Sequence, residues 1–466
     1  MGLFREYDLR GVVGTELTTD IAERLGRAYA TLVRDRGIKT IALGRDGRLS
    51  SPSLRDSLLR GLLASGLNVI DIGICASPLL YFSLFRLPVE GGIMITGSHN
   101  AAEYNGFKIC IGKEAIHGKE IQELRAVMDG GRFATGAGSL SAHAIIPDYL
   151  AYLKESFTGV RADHLHVVLD CGNGAASLVA RQAMEQLGCR VTTLYGELDG
   201  AFPNHHPDPT VVDNLQDLIR AVLGHKADVG IGYDGDADRI GTVDEQGNIL
   251  WGDKLMVVYA RDILAKRPGS TFISEVKASQ CLYDDIERRG GKSIMWKTGH
   301  SLIKAKMKTE AAVLAGEMSG HMFFADRYFG YDDAIYASCR LVEILATSDK
   351  TLSQLVADLP QTVVTPEIRV DCPDHIKFDL VGRVHTQLTS CATNGRSVGA
   401  SGLKLRQLVT IDGVRAIFDE GWGLIRASNT QPALVLRFEA ASPAQLSLIR
   451  AAIEAELESA RRALTQ

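Results

Sequence analysis

Short apolar runs alternate with segments of helical periodicity along most of the chain. Residues 19–25 carry apolar side chains at helical spacing, an apolar run follows at 40–43, and the polar stretch Gly44-Arg45-Asp46-Gly47-Arg48 comes directly after it. Ser51-Pro52-Ser53 predicts the cap of a second helix over 54–65, and residues 68–73 and 92–95 predict two further strands. This rhythm predicts a mostly parallel sheet covered by helices, closing near residue 145. It recurs with strands at 166–170, 190–195 and 227–233, and a helix reaching residue 187. A third round has strands at 271–274, 293–296 and 312–315. After Leu359-Pro360 the texture changes to strands joined by turns at 367–372, 408–413, 414–418 and 433–438, with an amphipathic helix over 443–463. The expected architecture is three similar α/β domains with mixed or parallel sheets over 1–145, 146–250 and 251–362, then an α+β domain over 363–466.

Length agrees with that division, since 466 residues exceed one core and fill three or four at about 100 to 150 residues each. The 45% hydrophobic and 23% charged fractions are those of an ordinary soluble globular protein and argue against disorder. A net charge of −5 gives no reason to expect a nucleic-acid or membrane partner, so any anion site must be a local basic pocket. The eight cysteines show no CxxC spacing and read as buried thiols of a reducing compartment. The N-terminus lacks an apolar signal core, position 6 is Glu6 where a myristoylation signal needs Ser or Thr, and no run approaches 18 apolar residues. The expected location is the cytoplasm; oligomeric state, monomer or dimer, is left open.

Four loops carry candidate chemistry. The 92–95 strand runs into Thr96-Gly97-Ser98-His99-Asn100, where Ser98 is a candidate nucleophile, Gly97 admits close approach, and His99 and Asn100 supply donors. The alternative is an ordinary polar turn. Asp234-Gly235-Asp236-Ala237-Asp238-Arg239 places carboxylates at i, i+2 and i+4 with a small residue between each pair, a set that can converge on one hard cation. The EF-hand ligand series ending in Glu is missing, which favours Mg2+ over a calcium loop. Gly316-Glu317-Met318-Ser319-Gly320-His321 offers a carboxylate, a hydroxyl and an imidazole suited to vicinal sugar hydroxyls, although such a loop also arises by chance. Arg426-Ala427-Ser428-Asn429-Thr430-Gln431-Pro432 combines a guanidinium, hydroxyls and an amide at a turn, a phosphate cradle without metal or else a polar turn with a surface arginine. Tyr7, Arg10, Lys277 and His300 stand in shorter polar stretches that would not be singled out unaided. The stretch 202–208, with two prolines, reads as a rigid connector before it reads as a metal loop.

Taken in order, TGSHN with YNGFK, DGDADR, GEMSGH and RASNTQP make the whole chain resemble the α-D-phosphohexomutase superfamily, in particular its bacterial phosphomannomutase/phosphoglucomutase group. The resemblance implies four domains around a central cleft, each lending one loop. Ser98 would carry the transferred phosphoryl group, one of whose oxygens would join Asp234, Asp236 and Asp238 on Mg2+. Glu317 and Ser319 would read the sugar, and Arg426, Ser428, Asn429 and Thr430 would hold the non-reacting phosphate. Tyr7, Arg10, Lys108, Arg239, Lys277, His300 and His321 would line the cleft, with Lys108 and His321 as general acid/base candidates. The implied partners are small sugar phosphates, with glucose 1,6-bisphosphate as activator. Two departures stand out: Ala101-Ala102 follow the Ser-His-Asn triplet where the family usually has Pro, which bears on loop rigidity, and Ala237 stands where Gly is frequent, which matters if its φ is positive.

The expected function is interconversion of hexose 1-phosphate and hexose 6-phosphate, of mannose or glucose, through a phosphoserine and a 1,6-bisphosphate. Phosphoglucosamine mutase is the alternative on the same scaffold; its sugar loop usually carries Gln where this chain has Met318. A metal-dependent phosphatase using Ser98 would leave the Arg426 loop unexplained, and a non-catalytic sugar-phosphate binder would have no reason to keep Ser98 and three aspartates.

Overall fold

The computed structural model describes residues 3–394, 397–398, 402–428 and 432–465. Four sheets follow one another along the chain. In the first, the parallel strands Gly91–Ile95, Thr40–Arg45, Asn68–Ile74 and Leu140–Ala142 lie side by side. Tyr104–Ile111 folds back antiparallel on Gly91–Ile95 and pairs with Leu9–Val12 beyond it. The second sheet pairs His166–Asp170 in parallel with Arg190–Leu194 and Val229–Tyr233, and the antiparallel strand Ile240–Asp244 returns beside the last of these. In the third, Lys292–Trp296, Thr271–Glu275 and Leu314–Gly316 are parallel and Met322–Phe324 is antiparallel. The fourth sheet is wholly antiparallel, with Gly421–Ala427 and Ala433–Ala440 at its centre.

The three mixed sheets and the antiparallel fourth agree with the architecture expected from periodicity. The central strands Gly91–Ile95, His166–Asp170 and Val229–Tyr233 are buried along their whole length, as parallel strands covered on both faces must be. Element ends differ locally. The helix expected at 54–65 is Ser51–Ala64, because Pro52 sits in its first turn, where its fixed φ and missing N–H cost nothing. The helix expected to reach 187 divides into a 3-10 turn, Ala175–Leu178, and Ala180–Gln186. The strand expected at 408–413 is Gln407–Val409, and Gly413, at φ 79°, turns the chain into Val414–Phe418.

One hydrophobic cluster runs from Leu79, Phe82 and Tyr149 through Leu169 and Tyr233 to Tyr259 and Tyr336, so parts of the first three sheets share a continuous core. The fourth sheet has its own core around Leu434 and Phe438. It docks on the third through Val276, Trp422 and Leu424, and through buried Arg415, which donates to the carbonyls of Val276 and Ala278 at 2.8 Å each. Seven of the eight cysteines are buried. Among the described residues no helix is long and apolar enough to cross a membrane.

Candidate active site

Each candidate loop leaves a strand end of its own sheet, and the chain folds so that the loops meet. Ser98 follows Gly91–Ile95, is 2% exposed, and has φ 49°, a left-handed conformation that is costly for a side chain with a Cβ. Its Oγ donates to Asp234 Oδ2 at 2.8 Å and lies 3.1 Å from His99 Nδ1. Asp234, Asp236 and Asp238 follow Val229–Tyr233, are all fully buried, and have oxygens within 4.8 Å of one another.

Three neighbours hold the aspartate loop in place. Ser77, at the start of helix Ser77–Arg86, donates its hydroxyl to Asp236 Oδ2 at 2.5 Å and its N–H to the Asp236 carbonyl. The amides of Ala175 and Ala334 bond the carbonyls of Gly235 and Ala237. Ala237 itself has φ 61°, so its departure from Gly falls at a position where it does matter.

Lys108, from Tyr104–Ile111, inserts its Nζ between Asp236 Oδ2 at 2.6 Å and Asp238 Oδ2. Burial alone would lower the Lys108 pKa, but Asp236 and Asp238 outweigh it and hold the ammonium above its ordinary range. Burial pushes the Asp234 carboxyl up, reinforced by Asp236 and Asp238. Asp236 is held low against the same burial by Lys108. Asp236 Oδ1 and Asp238 Oδ1 are buried and accept no hydrogen bond. An all-carboxylate donor set with orphaned oxygens fits a hard divalent cation such as Mg2+.

Cations and imidazoles surround this centre. Arg239 Nε donates to His321 Nε2 at 2.9 Å, and His321 Nδ1 faces Asp332 Oδ2 at 3.2 Å. His300 stacks on His321 with centroids 5.8 Å apart; burial lowers its pKa well below the usual value, reinforced by Lys304. Arg10 reaches Asn100 Oδ1 at 2.8 Å and Asp8 at 2.6 Å. Tyr7 donates to the Thr298 carbonyl at 3.0 Å and packs edge-on against His300.

A second group is organised around Arg426, which stands near the end of Gly421–Ala427 and pairs through Nε with Asp412 Oδ2 at 3.0 Å. That oxygen also accepts from the Thr298 amide at 3.0 Å. Lys277 pairs with Glu367 at 3.0 Å, and Glu317 accepts from the Gly299 amide at 2.8 Å. Ser319 is half-buried in the same loop as Glu317, and buried Ser428 follows Arg426. Asn429 and Thr430 lie outside the described residues.

Four residues in this region carry no distinctive signal in the sequence. Glu275 ends strand Thr271–Glu275 and gathers Thr298 Oγ1 at 2.7 Å and the Met318 amide at 3.2 Å. Asp332 backs both histidines and Lys304, Asp412 orients Arg426, and Arg48 underlies the Ser98 loop. Only the polar character of the stretch after residue 43 hinted at Arg48. Each has at least one partner from outside its own loop: Thr298 for Glu275 and Asp412, His300 for Asp332, and Ser98 for Arg48.

Comparison with known proteins agrees with this arrangement. The family models described as phosphoglucomutase/phosphomannomutase alpha/beta/alpha domains I, II and III match residues 1–134, 147–247 and 251–363, and the corresponding C-terminal domain matches 367–456. The chain is 42% identical over 457 residues to a Phosphomannomutase/phosphoglucomutase of Pseudomonas aeruginosa, covering 98% of this chain and 96% of that one. It is 43% identical over 459 residues to a Phosphoglucomutase of Neisseria gonorrhoeae, covering 98% and 97%. A solved structure of a phosphoglucomutase/phosphomannomutase family protein from Burkholderia thailandensis superposes with a TM-score of 0.90 at 38% identity, covering 98% of this chain and 97% of that one. With every domain matched in order and identity above 40% over almost the full length, the chain belongs to the phosphoglucomutase/phosphomannomutase family of α-D-phosphohexomutases.

Proposed function

We propose that this protein interconverts hexose 1-phosphate and hexose 6-phosphate, with mannose or glucose as the sugar, through a phosphoserine at Ser98 and a hexose 1,6-bisphosphate. The observation that carries the reading is Ser98 Oγ, 2.8 Å from Asp234, beside a three-carboxylate centre into which Lys108 projects, in a chain whose separate C-terminal loop presents Arg426.

In the forward step the P–Oγ bond of phosphoserine 98 breaks as a P–O bond to the free sugar hydroxyl forms, and the hydroxyl proton passes to a base. His321 is the candidate for that role: its Nε2 lone pair, held by the Arg239 Nε–H in this structure, takes the proton once Arg239 turns to the transferring phosphoryl. Lys108, kept cationic by two carboxylates, suits charge stabilisation and the return of a proton. Asp234, Asp236, Asp238 and a phosphoryl oxygen on Ser98 would hold Mg2+, which supplies charge neutralisation at the phosphoryl oxygens. Arg426 and Ser428, with Asn429 and Thr430, hold the non-reacting phosphate, and Glu317 and Ser319 accept and donate to the sugar hydroxyls. The bisphosphate turns in the cleft and returns its other phosphoryl to Ser98. Added glucose 1,6-bisphosphate recharges enzyme that has lost its phosphoryl. Tyr7, Arg10, Lys277 and His300 complete the lining. On this reading four domains, bounded near residues 145, 250 and 362, contribute the serine, metal, sugar and phosphate loops, and the buried thiols suit the cytoplasm.

A coupled assay of the purified protein with mannose 1-phosphate, glucose 1-phosphate and glucosamine 1-phosphate in parallel tests the assignment. Turnover of the first two is expected. Preference for glucosamine 1-phosphate would replace it with the aminosugar reaction, and release of inorganic phosphate with a phosphatase.

A further inference from the structure

The Ser98 loop has no proline to stiffen it, yet Ser98 is held in a left-handed conformation. The device that holds it is Arg48, from the loop after strand Thr40–Arg45, with a side chain that is fully buried. Its Nη2 donates to the carbonyls of Ser98 at 2.7 Å and Asn100 at 2.6 Å. Its Nη1 donates to the carbonyls of Ala101 at 2.6 Å and Tyr104 at 3.0 Å. One guanidinium therefore fixes four backbone carbonyls between Ser98 and Tyr104, from the turn that carries Ser98 to the start of the next strand.

The rest of the surroundings keep that guanidinium in place. Asp46 Oδ2 lies 3.2 Å from Arg48 Nε and accepts from the Gly97 amide at 3.3 Å, so acid and base together bind the turn through its N–H and its carbonyls. Phe202, from the loop after the second sheet's Arg190–Leu194, covers the guanidinium at 5.0 Å from ring centroid to Cζ. A Cβ on Gly97 would come within 2.6 Å of Arg48 Cζ, which explains glycine at that position.

We propose that Arg48 is the positioning residue for Ser98, fixing the nucleophile's backbone for phosphoryl transfer by a four-carbonyl clamp. Lysine cannot reproduce it, because an ammonium lacks the planar fork that reaches carbonyls on both sides. The Arg48 side chain is fully buried and both its terminal nitrogens are engaged by backbone carbonyls, so its loss acts on the rate of transfer through misplacement of Ser98, where a shift of about 1 Å costs about 100-fold.

The proposal rests on Ser98 as the phosphoryl acceptor, and a single-turnover experiment separates the two. Dephosphorylated protein with Mg2+ is mixed with glucose 1,6-bisphosphate. The P–O bond to the sugar breaks, a P–Oγ bond to Ser98 forms, and the serine proton ends on the departing sugar oxygen. Phosphoryl incorporation is followed by intact mass, with its position read from peptides. The amplitude counts folded, competent molecules, whereas the rate constant reports positioning. Arg48→Lys and Arg48→Met are expected to keep most of the amplitude and to lose about 100-fold in rate constant. Gly97→Ala, which crowds the same guanidinium, provides a second route to that defect if the Arg48 variants do not fold. Rate constants within threefold of wild type, with only the amplitude reduced, would reduce Arg48 to a structural residue and overturn the proposal. Wild-type protein phosphorylated elsewhere than Ser98 would instead refute the nucleophile assignment.

Discussion

Ser98 combines a strained backbone with a hydroxyl already hydrogen-bonded to the carboxylate centre. A left-handed non-glycine residue costs about 1 to 2 kcal/mol, and such a cost persists only where the surroundings over-determine the geometry. Ser98→Ala should abolish nearly all turnover while sugar-phosphate affinity, measured by calorimetry, stays within a few-fold of wild type. A kcat within threefold of wild type would remove Ser98 from the chemistry. Arg426 is a different case: on the proposed reading it holds whichever phosphate is not reacting, and so must serve both directions. Removing its charged contact is worth about 1.5 to 3 kcal/mol, so Arg426→Ala should lose about ten- to 150-fold in kcat/KM for the 1-phosphate and the 6-phosphate alike. Steady-state kinetics confined to a defect in one direction would show that this loop does not hold both phosphates.

Ser98 and the three aspartates sit just beyond strand ends, and the turns that bring such groups into place have their own requirements. Gly413 is a case in which only glycine fits: its φ is 79°, and a Cβ would lie 2.3 Å from the Ile425 carbonyl and 2.6 Å from Arg426 Cβ. Beside it, Asp412 orients the Arg426 guanidinium. Gly413→Ala should therefore shift the Asp412–Arg426 pair and raise KM several-fold in both directions, while single-turnover phosphorylation of Ser98 stays near wild type. Slower phosphorylation with unchanged KM would mean that the two loops are not independent elements. Ala237 sits at φ 61° without glycine, and its loop is held instead by backbone bonds from Ala175 and Ala334.

The molecule is held as one body across its sheets, and the ties are polar as well as apolar. Lys277 of the third unit and Glu367 of the fourth form a largely buried pair, in which Lys277 above all pulls the Glu367 carboxyl down to about 2. A carboxylate with a depressed pKa in the folded state stabilises fully above its unfolded value near 4.5 and loses that contribution as pH falls toward 2. Glu367→Gln should thus lower stability by about 2 kcal/mol at pH 7, and the gap in Tm between variant and wild type should narrow as pH falls from 5 to 3. A gap that stays constant over that range would show that the charge pair does not join these units.

The sequence by itself determined the order of strands and helices, the change of architecture after Pro360, and the four loops, because periodicity and turn composition are local properties. Carboxylates on alternate residues in DGDADR point to a cation site at short range, whereas the Ser98 stretch alone reads as a polar turn and gains its chemistry only from the order of all four loops. Tertiary structure alone decided which groups face one another. Lys108 is 128 residues from Asp236, Arg48 reaches the carbonyl of a serine 50 residues on, and Asp332 backs a histidine from a different loop. Arginine and aspartate are ordinary surface residues in any sequence, and nothing local distinguishes a buried clamp from a solvated charge. Their roles arise from burial and from partners brought together by folding, since a charge removed from water has to find its hydrogen bonds within the protein.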